Sequence, residues 1–411
     1  MRTITVDERR ARLGVRHHLA QTTDSALTVA ADMVGLHSSD PATVFLSARA
    51  RVTSFQVPDL ESALYRERSL VRVLGMRRTL WVVPTETIAQ IHNASTVKIA
   101  IPELKRLAQM VEGAGISKDG AEWYRQVSEK TLQALRATKE GVAAVDLTKE
   151  VPELREQFIF YKSDGSIMGR AGASTRVLFA LASEGRVIRA RPRGSWVSGQ
   201  YRWTTVDDWL GSPIPVQPRD LAQAELLGWW LHGFGPATEN DIAWWTGWTK
   251  ADVRVALEQV GAVQVETETG PAYLLAGDLE PVQPPAPWVA FLPSLDPTTM
   301  GWKAREWYLG HHGARVFDRN GNAGATIWCN GRIVGGWSQR SGGEVVYRLL
   351  EDVGSDATAA VERQAEALAK WLGGTTVTAR FRAPLDKELA DQVVDSIGNV
   401  PANEEGIDCA D

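Results

Sequence analysis

The stretch AGASTRVLFALASEGRVIRARPRGSWVSGQYRWTTV, residues 171–206, reads as one helix followed by a two-stranded hairpin. Ser174 or Thr175 is suited to cap the helix, and apolar residues recur through VLFALA at helical spacing. The β-branched and aromatic residues on either side of Gly194 and Gly199 predict strands that turn at one of these glycines. A short helix, GVAAVDLTKEV, precedes them from Gly141. Helices closed by such a hairpin make a winged helix, and the order recurs on both sides. N-terminally, one helix starts at Thr5 or Asp7 and runs to His18. A second follows Thr23 or Asp24, a third spans Ala42 to Arg51, and LESALYRER opens after Pro58 and Asp59. Strands LVRVLG and RRTLWVV then flank Gly75. From Gln223, AELLGWWLHGF, ENDIAWWTGW and KADVRVALEQVG lead into paired strands in AVQVETETGPAYLLA.

The reading is an α+β chain of three tandem winged-helix units, residues 1–84, 141–212 and 213–280, with a helical connector over 85–140. Pro281, Pro284, Pro285 and Pro287 mark a linker into a β-rich α/β unit over 281–400. There WVAFLPSL, GATIWCNGRIVGGWS and EVVYRLL predict strands, with Asn330-Gly331 as a hairpin turn. DATAAVERQAEALAKWLG predicts a helix and TTVTARF a last strand. Residues 401–411 form an acidic tail.

Composition narrows the function. The 411 residues are 44% hydrophobic and 23% charged, an ordinary globular balance. No run approaches the roughly 18 apolar residues of a membrane helix, and the first twenty residues lack the apolar centre of a signal peptide, so no membrane partner and a cytoplasmic, nucleoid-associated location are expected. Two cysteines far apart, Cys329 and Cys409, build neither a disulfide framework nor a zinc site, and the seven histidines show no metal-ligand spacing. No metal and no cofactor are expected. The net charge of -5 conceals two basic regions. Residues 1–78 hold 12 Lys and Arg against 8 Asp and Glu, and residues 159–204 hold 8 against 2. Local positive charge on an acidic body suits phosphate binding, although a solvated basic surface has the same composition.

Arg176, Arg189, Arg191, Arg193 and Arg202 fall in the second basic region, and Arg77 and Arg78 close the first. The planar guanidinium fork donates two bonds at once to a phosphate. Arg77 and Arg78 could equally pair with Glu67. Most of the sixteen tryptophans are expected in the core, Trp230 and Trp244 among them, with Trp196 and Trp203 the candidates for stacking on bases.

Four segments resemble, in order, those of the winged-helix DNA glycosylases of bacteria, the azinomycin-resistance type that unhooks interstrand crosslinks. MVGLHSSDPATVFLSARARV (33–52) resembles the catalytic segment, which reads Gly-Leu-Gln-x-Gln or Gln-x-Asp before an acidic residue and proline. LGMRRTLWVV (74–83) resembles a Met-Arg-Gly-Thr-Leu-His strand, and FLPSLDPTTMGWKAR (291–305) a Leu-Pro-x-x-Asp-Pro segment. GNAGATIWCNGRIVGGWSQR (321–340) completes the series. The resemblance implies a C-shaped array of three winged helices around a basic channel, acting as a monomer on double-stranded DNA. The reaction it implies is monofunctional hydrolysis of the N-glycosidic bond of alkylated purines, N7-alkylguanine above all, as alkylation-damage repair and self-resistance. The two catalytic positions fall on His37 and Ser39. His37 can act as a base near neutral pH, while Ser39 has a shorter reach than Gln or Asp and Asp40 stands one step along. Trp81 stands where the family has His. The loop can also be read as a helix end, with Ser39 or Asp40 capping before Pro41, and Asp296 as an Asx-turn before Pro297. The altered motif leaves a second function open, a DNA-binding regulator or genotoxin-resistance factor without catalysis.

Overall fold

The computed structural model describes residues 1–138, 140–391 and 398–399, so the acidic tail lies outside the described residues. Helices and small sheets alternate along the chain. The chain divides into two compact units. One comprises Met1–Phe55, His232–Asp241 and Val263–Asp411, and the other Gln56–Leu231 and Ile242–Ala262.

In the first unit, helix Val6–Arg16 is capped by Thr5, whose side chain accepts from Glu8 N. Helix Ala26–Asp32 is capped by Ser25 and not by Thr23 or Asp24. The backbone of Thr23 is taken instead, accepting from Thr53 N and donating to Arg51 O. Helix Pro41–Arg49 follows with every residue but Arg49 buried. The C-terminal half builds an antiparallel run Val289–Leu292, Thr326–Cys329, Arg332–Gln339 and Val345–Leu349, with Gly398–Asn399 added in parallel. Asn330 and Gly331 turn its central hairpin with φ of 49° and 84°, the left-handed pair that a two-residue turn requires. Helix Ser355–Leu372 packs on this sheet through Val361, Ala365 and Leu368.

Residues 375–381, TTVTARF, do not form the expected strand. Side chains take their backbone bonds: Gln339 Oε1 accepts from Val377 N, Gln339 Nε2 donates to Thr375 O, and Asp40 Oδ2 accepts from Arg380 N. An extended segment tied down residue by residue in this way does not extend the ladder.

At the centre of the first unit lies a buried ion pair, Arg51 with Asp296, both fully excluded from solvent. Arg51 satisfies all five N–H groups. Nε donates to His17 O, Nη1 to Ser47 O and Asp296 Oδ2, and Nη2 to Asp296 Oδ1 and Thr298 Oγ1. Asp296 Oδ1 also accepts from Thr298 N, the Asx-turn expected from the sequence, and Oδ2 accepts from Ser47 Oγ. His17 Nε2 faces the Gly233 carbonyl and so carries the proton, leaving Nδ1 to accept from Thr298 Oγ1. Burial and the Arg51 charge push the His17 pKa well down, so the ring is neutral.

In the second unit, strands Leu70–Leu74 and Leu80–Pro84 pair as a hairpin around Gly75, as expected. Helices Val97–Gly113 and Gly120–Arg136 follow. Helix Ala144–Glu150 and helix Ala173–Ser183 precede the hairpin Val187–Pro192 and Tyr201–Thr205, to which Val142–Ala143 adds a third strand. The turn carries positive φ at Gly194. Gly172 caps the Ala173–Ser183 helix without a side-chain bond, and Ser174 and Thr175 lie inside its first turn. Between the two helices stands a hairpin that the sequence reading missed, Gln157–Tyr161 with Ile167–Gly172.

Asp296→Asn leaves the Arg51 charge buried without its partner. It should cost about 3–5 kcal/mol in denaturant unfolding, whereas Arg51→Met with Asp296→Leu recovers most of that loss. Acid should destabilise as well. The folded pKa of His17 lies well below 6.5 and burial lowers that of His92 to about 4, so each contribution is complete above about pH 6.5 and lost as the pH falls. His92→Gln should flatten the acid limb of the stability profile by up to about one proton between pH 6 and 4.5.

Candidate active-site loop and nucleic-acid interface

The backbone turns sharply before the loop. Val34 has φ +54°, a left-handed conformation that β-branched residues rarely adopt, and Gly35 has φ +120°. Leu36–His37 then form a two-residue extended segment. His37 is 7% exposed and Ser38 fully buried, while Ser39 is partly exposed. Asp40 is the N-cap of helix Pro41–Arg49: Oδ1 accepts from Ala42 N at 3.1 Å and Oδ2 from Arg380 N at 2.8 Å. Both carboxylate oxygens are thereby engaged in holding the loop, and Ser39 is the position that presents itself to solvent.

The helix behind the loop is fixed along one face. Thr43, Ser47 and Arg51 recur at four-residue spacing, and each bonds the LPSLDP segment: Thr43 Oγ1 donates to Ser294 O at 2.7 Å, Ser47 Oγ to Asp296 at 2.6 Å, and Arg51 bidentately to Asp296. Two of the four segments that carry the family resemblance are thus one polar lock. A loop set on a rigid helix in this way keeps His37 and Ser39 in fixed relation, which hydrolysis by a positioned water requires.

The candidate arginines lie in the second unit. Arg77 and Arg78 occupy the Gly75 hairpin with left-handed φ of 54° and 62°. Arg78 stands where the resembling motif has Gly, the residue that tolerates this conformation, and strain of order 1 kcal/mol or more is held there. Glu67 accepts from Ser62 and pairs with Arg66. Arg78 bonds Glu103 at 2.6 Å and Arg77 lies 4.1 Å over the ring of Trp244. With them around a groove of about 520 Å³ stand Lys98, Lys105 and Arg106, cations that the sequence reading did not single out. They sit on helix Val97–Gly113 at spacings of seven and eight residues, so a charge count along that helix would have found them. Glu103 is the acidic residue in this lining.

On the 187–205 hairpin, Arg191 pairs with Glu61 at 3.2 Å and Arg193 with Asp146, while Arg189 lies over the rings of Tyr201 and Trp203. Arg202 and Arg176 are partly exposed. Arg176 Nε is buried with no hydrogen-bond partner. Trp196 is buried at 8% exposure and is no stacking platform, which leaves the partly exposed Trp203. Trp81 packs in the core, 5.5 Å from Trp245, which in turn lies 5.6 Å from Trp230. The unexpected hairpin exposes Ile159, Ile167 and Met168 beside Lys162 and Arg170.

Residues 30–371 match the family described as DNA glycosylase AlkZ-like. Among solved structures, Streptomyces sahachiroi DNA glycosylase AlkZ superposes with a TM-score of 0.70 at 19% identity, covering 92% of this chain and 100% of that one, a likeness of fold. No curated protein matches the chain. Among the described residues, no helix is long and apolar enough to cross a membrane.

Asp40→Ala removes the cap and the tether to Arg380 together and should destabilise by about 1–3 kcal/mol in thermal or denaturant unfolding. Asp40→Asn keeps one acceptor oxygen and should cost less than half as much.

Proposed function

The chain belongs to the AlkZ-like DNA glycosylase family, and we propose that it hydrolyses the N-glycosidic bond of N7-alkylated purines in duplex DNA, with His37 as the base. The observation that carries this reading is the family match over residues 30–371, which includes the His37 loop and the LPSLDP segment locked behind it. In the reaction, water attacks C1′, its proton passes to His37, and the C1′–N9 electron pair leaves with the base. Alkylation at N7 makes the base a cation, so it departs neutral and weak general-base assistance suffices. Ser39 orients the water, while Asp40 is committed to the helix cap.

Three winged-helix units over 1–84, 141–212 and 213–280, arranged as a C around the duplex, are the proposed scaffold, with one monomer per site. The helix-then-hairpin order at 144–205 supports that reading. Arg77, Arg78, Arg176, Arg189, Arg191, Arg193 and Arg202 supply phosphate contacts, joined by Lys98, Lys105 and Arg106. The exposed apolar residues on the strands of the 157–172 hairpin, Ile159, Ile167 and Met168, bordered by Lys162 and Arg170, suit insertion into a groove. The departures from the motifs, His37 and Ser39 in the catalytic segment and Arg78 and Trp81 in the strand segment, favour the second reading, a DNA-binding protein without catalysis.

Purified protein should release 7-methylguanine from methylated duplex DNA and leave abasic sites that alkali cleaves. His37→Ala should slow single-turnover release on the order of 100-fold with DNA affinity retained. Arg191→Ala with Arg193→Ala should instead weaken binding and reduce its salt slope by about one to two. Binding without release, or a fully active His37→Ala, selects the non-catalytic reading.

A further inference from the structure

Two successive residues, Arg77 and Arg78, hold left-handed φ of 54° and 62° where the Gly75 hairpin lines the groove of about 520 Å³. Non-glycine residues in that region are strained, and two in succession persist only where the surroundings fix them. Three bonds do so here. Gly75 N donates to Thr79 O, Thr79 Oγ1 to Met76 O, and Thr96 Oγ1 to Leu74 O. The backbone of the turn is therefore set without help from the arginine side chains.

The Arg78 side chain is held separately. Its Nη2 lies 2.6 Å from Glu103 Oε1, and its Cζ lies 5.5 Å from the centre of the Phe179 ring. It nevertheless stays 45% exposed, against 7% for the Glu103 side chain. Among the described residues, no other acceptor takes an N–H of this guanidinium. Glu103 is out of character with its neighbours, since Arg77, Arg78, Lys98, Lys105 and Arg106 share the lining with it. A carboxylate there repels the phosphates that such a groove attracts, and its burial leaves it poorly screened. Arg106 Nη1 is 3.9 Å from the same oxygen and Lys98 Nζ is 3.5 Å from Asp252, so Arg78 is the close partner of Glu103.

We propose that Glu103 is a positioning residue for phosphate recognition, holding the Arg78 guanidinium so that its remaining donors meet a DNA phosphate while Nη2 stays on the carboxylate. A guanidinium suits this task because its donors are fixed in one plane and can serve two anions at once. An arginine side chain free in water loses several rotamers when it takes a phosphate, and one already held by Glu103 and Phe179 loses few. This advantage outweighs the repulsion from a single carboxylate that Arg78 itself neutralises. The role rests on the DNA-binding reading above and holds whether or not base release follows.

The test is a double-mutant cycle on full-length protein, read by fluorescence anisotropy with an unmodified DNA duplex over a range of salt concentrations. Arg78→Gly suits the left-handed turn and should weaken binding about 10-fold while lowering the salt slope by about one. Glu103→Gln alone should weaken binding about 2- to 10-fold, the effect of freeing one side chain, and leave the slope unchanged. In the Arg78→Gly background the same change should tighten binding, because there the carboxylate only repels. Arg78→Lys supplies a second background should Arg78→Gly not fold. Its ammonium keeps the charge but lacks the planar fork, so Glu103→Gln should again fail to weaken binding. Tighter binding by Glu103→Gln alone, or an unchanged salt slope in folded Arg78→Gly, overturns the proposal. A wild type that binds no duplex overturns the DNA-binding reading and this role together. The reversal of sign in a protein that releases no base supports the role and counts against the glycosylase reading alone.

Discussion

The Arg51–Asp296 pair is the interaction on which the rest of the first unit depends. Two charges taken out of water are stable only when their geometry and remaining hydrogen bonds are complete, and here all five guanidinium donors and four carboxylate acceptor positions are used. His17 joins through Thr298 and must stay neutral, because a second cation beside Arg51 would be repelled. The consequence is a single permitted position for the helix that begins at Pro41, and hence for the loop ahead of it. An apolar replacement could hold the helix as tightly, but with less control over its rotation and register.

The support of the proposed catalytic loop is separate from the residues proposed to act there. Asp40 and Pro41 start the helix, and Thr43, Ser47 and Arg51 grip LPSLDP, while the two positions proposed to face the reaction are His and Ser. A similar separation occurs at Gly75. The hairpin keeps its left-handed residues although Arg occupies the position suited to Gly, and the Glu103 bond helps to offset the strain.

Much of the fold was legible in the sequence because its signals are local. The turn at Asn330-Gly331, the Thr5 cap and the strands flanking Gly75 and Gly194 each rest on a few adjacent residues. The TTVTARF strand failed because β-branched residues report an extended chain and not its partner, and the partners are the side chains of Gln339 and Asp40. The 157–172 hairpin was overlooked because its apolar residues alternate with Lys, Ser and Gly in a stretch that reads first as basic charge. At the site, the Asx-turn of Asp296 was readable from the following proline, but its bond to Arg51 was not, since no local pattern links residues 245 apart. Charge counting located Arg77 and Arg78 but gave Glu67 as an alternative partner, whereas Arg78 pairs with Glu103.

The distances in sequence across these bonds carry a further consequence. Asp296 lies 245 residues from Arg51, and the Arg380 amide 340 residues from Asp40. Contacts this non-local form only after the intervening chain has paid its loop-closure entropy, and during synthesis they cannot form until residues 296 and 380 have left the ribosome. The loop bearing His37 is made long before residues 296 and 380, on which its position depends. A chain that lacks them therefore carries His37 and Ser39 without the bonds that fix their loop.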